Sequence, residues 1–309
     1  MAAMYLVLLA ASASESMRVP TPLSRRMAAP VAQLPMPAFS VVPLNPNPMA
    51  LSMNSFGECI QNGDQVVLVP DVANAAECDA LVKAGVAACD RVGHHPSGRN
   101  RFWVPKIFPR DTIELAEEIL LRVLDKVDEE MPEIYETLFR PGDEWASRQP
   151  LNAQGQQPSI PPPEYLEETC PTLRDLYMAG ELEWSEGEPA INVYTASGSF
   201  GCHKDHLALT VLLPLTSADD FTGGGTGFWA GGRSVDEDPF EAPAAVLKPA
   251  LGTALVFGGD VTHAGMPVEA GVRAVLVASF STRTDASAAD RCFGLQFSDS
   301  SELSDVFGS

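Results

Sequence analysis

Apolar and polar positions divide the chain into an early helical part and a later part built of short strands. Asn74-Ala-Ala-Glu77 has the form of a capping box and predicts a helix running to about Asp90. Asp111-Thr-Ile-Glu114 repeats the signature at the head of the clearest helix. There Ile113, Ala116, Leu120, Val123, Leu124 and Val127 share one face and charged residues take the other. Pro132 ends or bends that helix, and its apolar face is expected to pack on the outside of a sheet. Between the two helices, Arg91 to Pro109, with His94, His95 and Trp103, reads as an irregular segment. From Ile191 onward the pattern changes to short apolar runs separated by Gly and Pro. Strands are predicted at Leu207–Leu215, Gly225–Trp229, Ala244–Leu247, Thr253–Phe257 and Val272–Phe280. Residues 141–171, with Gln154 to Gln157 and a Pro161-Pro162-Pro163 run, read as a loop, either a lid or an insertion. The fold class is mainly β with flanking helices (α+β).

The ends of the chain differ from its body. Ala2 to Ala11 is an apolar run too short to span a bilayer, followed by a small-x-small Ala11-Ser12-Ala13, which together predict a signal peptide. The following stretch, to residue 57, holds Arg18, Arg25 and Arg26 with many Ser, Pro and Ala, and reads as a transit-like or disordered leader. Entry to the secretory pathway and the endoplasmic reticulum lumen is expected, with a plastid reached by the secretory route as the alternative. No stable membrane insertion is expected once the signal is removed. The expected division is a leader over 1–57, a main domain over 58–285 with helical support at 74–140 and a β core at 190–282, and a tail over 286–309.

Net charge is −21 with no basic stripe, which argues against a nucleic-acid partner. The six cysteines form no C-x-x-C pair, so a structural zinc site is not expected. Disulfides are permitted in a secretory compartment, although Cys78 and Cys89, in the helical pattern, read as buried thiols.

The chemistry concentrates between Tyr194 and Arg273. His203-Lys-Asp205 is followed far downstream by His263, the ligand set of a two-His-one-carboxylate facial triad with positions left open on a non-haem iron. On an extended strand, residues two apart share a face, so His203 and Asp205 are expected to reach one metal, with His263 arriving from a neighbouring strand. Arg273 lies ten residues beyond His263 and offers a fixed guanidinium fork for a carboxylate. All these residues are expected on or beside strands of one sheet system.

Several spacings resemble the 2-oxoglutarate- and Fe(II)-dependent dioxygenases, in particular the prolyl 4-hydroxylase-like branch. Tyr194 stands nine residues before His203; Gly223-Gly-Gly-Thr226-Gly-Phe228, Pro249-Ala-Leu-Gly252 leading to Phe257, and His263-Ala-Gly265-Met-Pro267-Val268 follow in the family's order. Val67 to Asp71, and then Glu77 to Leu81, are similar to the strand and helix that open the family's domain. The resemblance covers about residues 67–282. It implies a double-stranded β-helix (jelly-roll, cupin-like) core, with His203, Asp205 and His263 as metal ligands and catalytic centre, and Arg273 and Tyr194 as cosubstrate-binding residues. The implied cofactors are Fe(II), 2-oxoglutarate as cosubstrate, O2, and ascorbate as reductant. The implied reaction hydroxylates a C–H bond, of peptidyl proline or of a small molecule, and decarboxylates 2-oxoglutarate to succinate and CO2. Where prolyl hydroxylases usually carry Lys, this chain has Arg273, which keeps the cosubstrate and loosens the link to proline. A nucleic-acid demethylase of the same superfamily and a metal-binding cupin without oxygenase activity remain as other readings.

Overall fold

In the computed structural model the described residues are 39–140, 164–230 and 242–283. Their strands are β1 (Ser40–Pro43), β2 (Gln65–Val69), β3 (Arg99–Trp103), β4 (Leu182–Trp184), β5 (Ala190–Tyr194), β6 (Phe200–His203) and β7 (Leu209–Pro214), followed by β8 (Phe221–Gly223), β9 (Thr226–Phe228), β10 (Ala245–Leu247), β11 (Ala254–Gly258), β12 (His263–Gly265), β13 (Val268–Gly271) and β14 (Arg273–Thr282). The main sheet runs β1-β2-β11-β7-β14-β5-β3, with β4 paired to the far end of β14. A smaller sheet runs β10-β9-β12-β6, and β8 pairs with β13. Every pairing is antiparallel, and the architecture is a double-stranded β-helix.

Alternation along the main strands explains why they read as nearly continuous apolar runs. On β14, Ala274, Leu276, Ala278 and Phe280 enter the larger core together with the helices, whereas Val275 joins the second core between the sheets. The same division holds on β11, with Ala254 and Val256 on the helix side and Leu255 and Phe257 on the inner side. A strand buried on both faces has no polar face to alternate with.

The helix side is covered chiefly by α3 (Ala75–Val92) and α5 (Arg110–Glu130). The Asn74 side chain accepts from the backbone N–H groups of Ala76 and Glu77, and Glu77 returns a bond to Asn74, the reciprocal cap expected from the sequence. The predicted apolar face of α5 is buried in full, and α5 ends at Glu130, two residues before Pro132.

Several expectations are corrected. Asp111 does not cap α5; Pro109 is the N-cap and has no side-chain oxygen, so Asp111 falls within the first turn. The segment Arg91–Pro109 is not irregular throughout, because β3 pairs with β5 along its whole length and forms a sheet edge. The stretch read as leader to residue 57 contains β1, paired to β2, and a short helix at Pro48–Met53. Part of the predicted 141–171 loop is helical, at Tyr165–Thr169. The signal segment, residues 141–163, the tail beyond 283 and Cys292 lie outside the described residues. The described cysteines are free, and Cys78 and Cys89 are buried. Among the described residues no helix is long and apolar enough to cross a membrane.

Candidate metal and cosubstrate site

His203 and His263 come together because β6 and β12 are neighbours in the smaller sheet, with the two histidines directly opposite in register. Their ring centroids lie 4.2 Å apart. Asp205 is not on the strand with His203 as the spacing suggested; β6 ends at His203, and Asp205 sits in the connection to β7. Its carboxylate nevertheless faces both rings, Oδ1 at 3.4 Å from His203 Nε2 and Oδ2 at 3.6 Å from His263 Nε2. One ligand atom from each of the three residues falls within 4.8 Å of the others.

Each imidazole is oriented by its other nitrogen. His203 Nδ1 lies 2.9 Å from the Gly201 carbonyl oxygen, and His263 Nδ1 lies 3.0 Å from that of Val261. A carbonyl oxygen only accepts, so Nδ1 carries a proton in both rings and Nε2 is the nitrogen turned to the cluster. Burial works to raise the Asp205 carboxyl, but the neighbouring His263 and the hydrogen bond with His203 outweigh it and hold the group well below the usual carboxylate range. Burial keeps His263 below the ordinary imidazole range. Burial works to lower His203, but the hydrogen bond and charge of Asp205 outweigh it and raise the group, so a divalent ion binding at its Nε2 would displace a proton from that ring.

Arg273 and Tyr194 do not share the histidines' sheet. They are opposite partners on β14 and β5 of the main sheet, so the site lies between the two sheets and not along one. Arg273 is 4% exposed. Its Nη2 donates to Thr226 Oγ1 at 3.0 Å, its guanidinium carbon is 5.0 Å from the centre of the Tyr194 ring, and its Nη1 is buried without a hydrogen-bond partner. Among the described residues no carboxylate pairs with it. A guanidinium withdrawn from water in this way needs an anion, and burial lowers its pKa accordingly.

The glycine turn between β8 and β9 makes this possible. Gly223, Gly224 and Gly225 have φ of 68°, 63° and 101°, and a Cβ on Gly224 would come within 2.7 Å of the Phe221 ring and 3.3 Å of Arg273 Cδ. The turn delivers Thr226 to the guanidinium and the buried Phe228 to the wall beside Phe257 and His263.

The cavity joining these groups has a volume of about 230 Å³ and is lined by the three candidate ligands, Arg273, Tyr194 and Thr226 among others. Arg101, Glu188 and Asn192, none of them marked by a motif, form a further polar wall. Glu188 Oε1 accepts from Arg101 Nη2 at 2.9 Å, and Oε2 accepts from the Ser279 backbone N–H at 2.5 Å. Burial, and then the charge of Asp205, push the Glu188 carboxyl up to about 7, against the opposing pull of Arg101. Arg101 and Glu188 are 87 positions apart in the chain, so no local pattern joins them. His94 and His95 are exposed and do not line the cavity, and His206 faces Asp260 at 3.8 Å.

The residues fit a facial-triad metal and a dicarboxylate. The donor set is two imidazoles and one carboxylate, and the orphaned Nη1 of Arg273 supplies the anion-binding group. No family model matches the chain, and no curated protein matches it. Among solved structures the chain is similar to the viral collagen prolyl hydroxylase of Paramecium bursaria Chlorella virus-1 in its 2-oxoglutarate complex, at 14% identity over 70% of this chain and 94% of that one, with a TM-score of 0.34. It is also similar to a prolyl-4-hydroxylase from Pseudomonas putida, at 14% identity over 73% and 96% with a TM-score of 0.39, and to AviO1 from Streptomyces viridochromogenes, at 12% over 74% and 92% with a TM-score of 0.41.

Proposed function

We propose that this chain is an Fe(II)- and 2-oxoglutarate-dependent dioxygenase that hydroxylates a C–H bond. The observation that carries the reading is the buried, unpaired Arg273 guanidinium lining the same cavity as the His203–Asp205–His263 cluster. One wall holds three groups that suit a divalent iron, and the other holds the counter-charge for the far carboxylate of a short dicarboxylic acid. Bound there, iron would supply oxygen activation coupled to decarboxylation of 2-oxoglutarate to succinate and CO2.

The chain's own residues do the rest. His203 and His263 present Nε2 because the Gly201 and Val261 carbonyls occupy their Nδ1 protons. Thr226 fixes the plane of the Arg273 fork, and Tyr194 packs beside it. Phe228 and Phe257 keep water from the His263 side. Peptidyl proline is the proposed substrate, supported by the motif order from Tyr194 to Val268, with a small molecule as the second reading, favoured by Arg273 in place of Lys.

The test is succinate release from the Fe(II)-loaded protein with ascorbate, with and without a proline-rich peptide. Peptide-stimulated succinate together with hydroxyproline supports the peptidyl reading. Succinate that peptides do not stimulate moves the substrate to small molecules, and no succinate from folded, iron-loaded protein contradicts the oxygenase.

A further inference from the structure

Asp205 lies past the end of β6, in a connection that does not by itself fix a side chain. A carboxylate there can rotate about its last torsion and offer either oxygen, or both, to a metal. The neighbouring strand restricts that freedom. Thr210 Oγ1, on β7, donates to Asp205 Oδ2 at 2.5 Å. Thr210 has no exposed surface, and its hydroxyl oxygen is also 3.2 Å from Ser279 Oγ on β14, where the two residues are directly opposite in register.

The direction of these bonds follows from counting protons. A metal-binding carboxylate only accepts, so the single proton of the Thr210 hydroxyl is committed to Asp205 Oδ2. The Ser279 hydroxyl, also without exposed surface, must then donate to the Thr210 oxygen. The two hydroxyls form a one-way chain of donors ending on the carboxylate. Ser279 is held in turn, because its backbone N–H bonds Glu188, which Arg101 grips from the sheet edge. The chain is built on the two central, longest-paired strands of the main sheet, so a rigid element steadies a ligand carried on a loop.

We infer that Thr210, backed by Ser279, is the positioning residue for Asp205: it engages Oδ2 and leaves Oδ1, the oxygen nearer His203, as the one turned to the metal. This rests on the reading of His203, Asp205 and His263 as a metal site. Hydroxyls that orient a ligand in this way typically govern metal affinity by about tenfold to a hundredfold.

The experiment measures Co(II) binding by the full chain, through competition with a chromophoric chelator and the visible ligand-field spectrum of the bound ion. The variants are Thr210→Val, which keeps shape and removes the hydroxyl, Thr210→Ser, which restores it, and Ser279→Ala. Thr210→Val is expected to bind Co(II) at least tenfold more weakly with a changed spectrum, Thr210→Ser to return to within about threefold of the parent, and Ser279→Ala to fall between. Circular dichroism checks that each variant is folded; if Thr210→Val is not, Ser279→Ala against the parent decides. Parental affinity and an unaltered spectrum in Thr210→Val, or in Ser279→Ala where that variant decides, overturn the inference and leave the metal site standing. Failure of the parent chain to bind Co(II) overturns the metal site itself, and the inference with it.

Discussion

Replacing Arg273 by Met tests the cosubstrate half of the site, because Met keeps an unbranched apolar stem and loses the guanidinium. Among the described residues that guanidinium bonds Thr226 at 3.0 Å through Nη2 and leaves Nη1 without a partner. A dicarboxylate would take the free donors in a fork of two charge-assisted hydrogen bonds. Bonds to charged groups contribute about 1.5–3 kcal/mol each, so the pair contributes about 3–6 kcal/mol. At 1.4 kcal/mol per factor of ten, the Kd for 2-oxoglutarate should rise by about 10²–10⁴-fold. The same change should not lower the stability of the ligand-free fold, since it removes a buried charge that no acid compensates. Anaerobic titration calorimetry of Co(II)-loaded protein with 2-oxoglutarate measures the first effect, and thermal melting measures the second. Metal affinity should be unchanged, because Arg273 belongs to the opposite sheet. Arg273→Lys should fall between the parent and Met, since an ammonium keeps charge without the planar fork. A 2-oxoglutarate Kd within threefold of the parent in Arg273→Met would refute this reasoning.

Other consequences concern the fold and its pH dependence. Glu188 has a folded pKa of about 7 against an ordinary 4.5, so its contribution is fully present below about pH 4.5 and is lost as pH rises to about 7. The stability difference between Glu188→Gln and the parent, from urea melts at several pH values, should therefore move in favour of Gln from pH 5 to 7; a difference constant with pH would contradict it. Leu124→Ala removes a side chain 1% exposed on the packed face of α5 and should cost roughly 2–5 kcal/mol in denaturant unfolding. Asn74→Ala removes the reciprocal cap of α3 and should cost about 1 kcal/mol in the same measurement.

What could be read from the sequence follows from which interactions are local. The α5 face was legible because Ile113 to Val127 repeat every turn, and the α3 cap because Asn74 and Glu77 are neighbours. The helix start was misplaced because Asp111 mimics a cap that Pro109 pre-empts through backbone geometry alone. β14 and β7 were legible as strands since both faces are buried. β3 was not, because Arg101, which lines the cavity, and Arg99, which lies over the Phe200 ring, make an edge strand look like a polar loop. β6, β8 and β12 are three or four residues long, too short to show a period. His203, Asp205, His263 and Arg273, picked by type and spacing, and Tyr194, picked through the family resemblance, all line one cavity. Ser279, Arg101 and Glu188 were not legible, because their partners are 69 to 91 positions away, and Thr210 was not, because its bond to Asp205 depends on the path of the connection between β6 and β7, which has no periodic signal.

In the proposed function, His203, Asp205 and His263 hold iron in a cavity where Arg273 receives the far carboxylate of 2-oxoglutarate. The most direct measurement adds 2-oxoglutarate to the Fe(II)-loaded protein without oxygen and follows the visible charge-transfer band of a 2-oxo acid chelated to Fe(II). The band should saturate at one equivalent in the parent chain, be absent in His263→Ala, and appear in Arg273→Met only at much higher 2-oxoglutarate. A folded, iron-loaded parent chain that gives no band, or a band indifferent to both substitutions, would contradict that function.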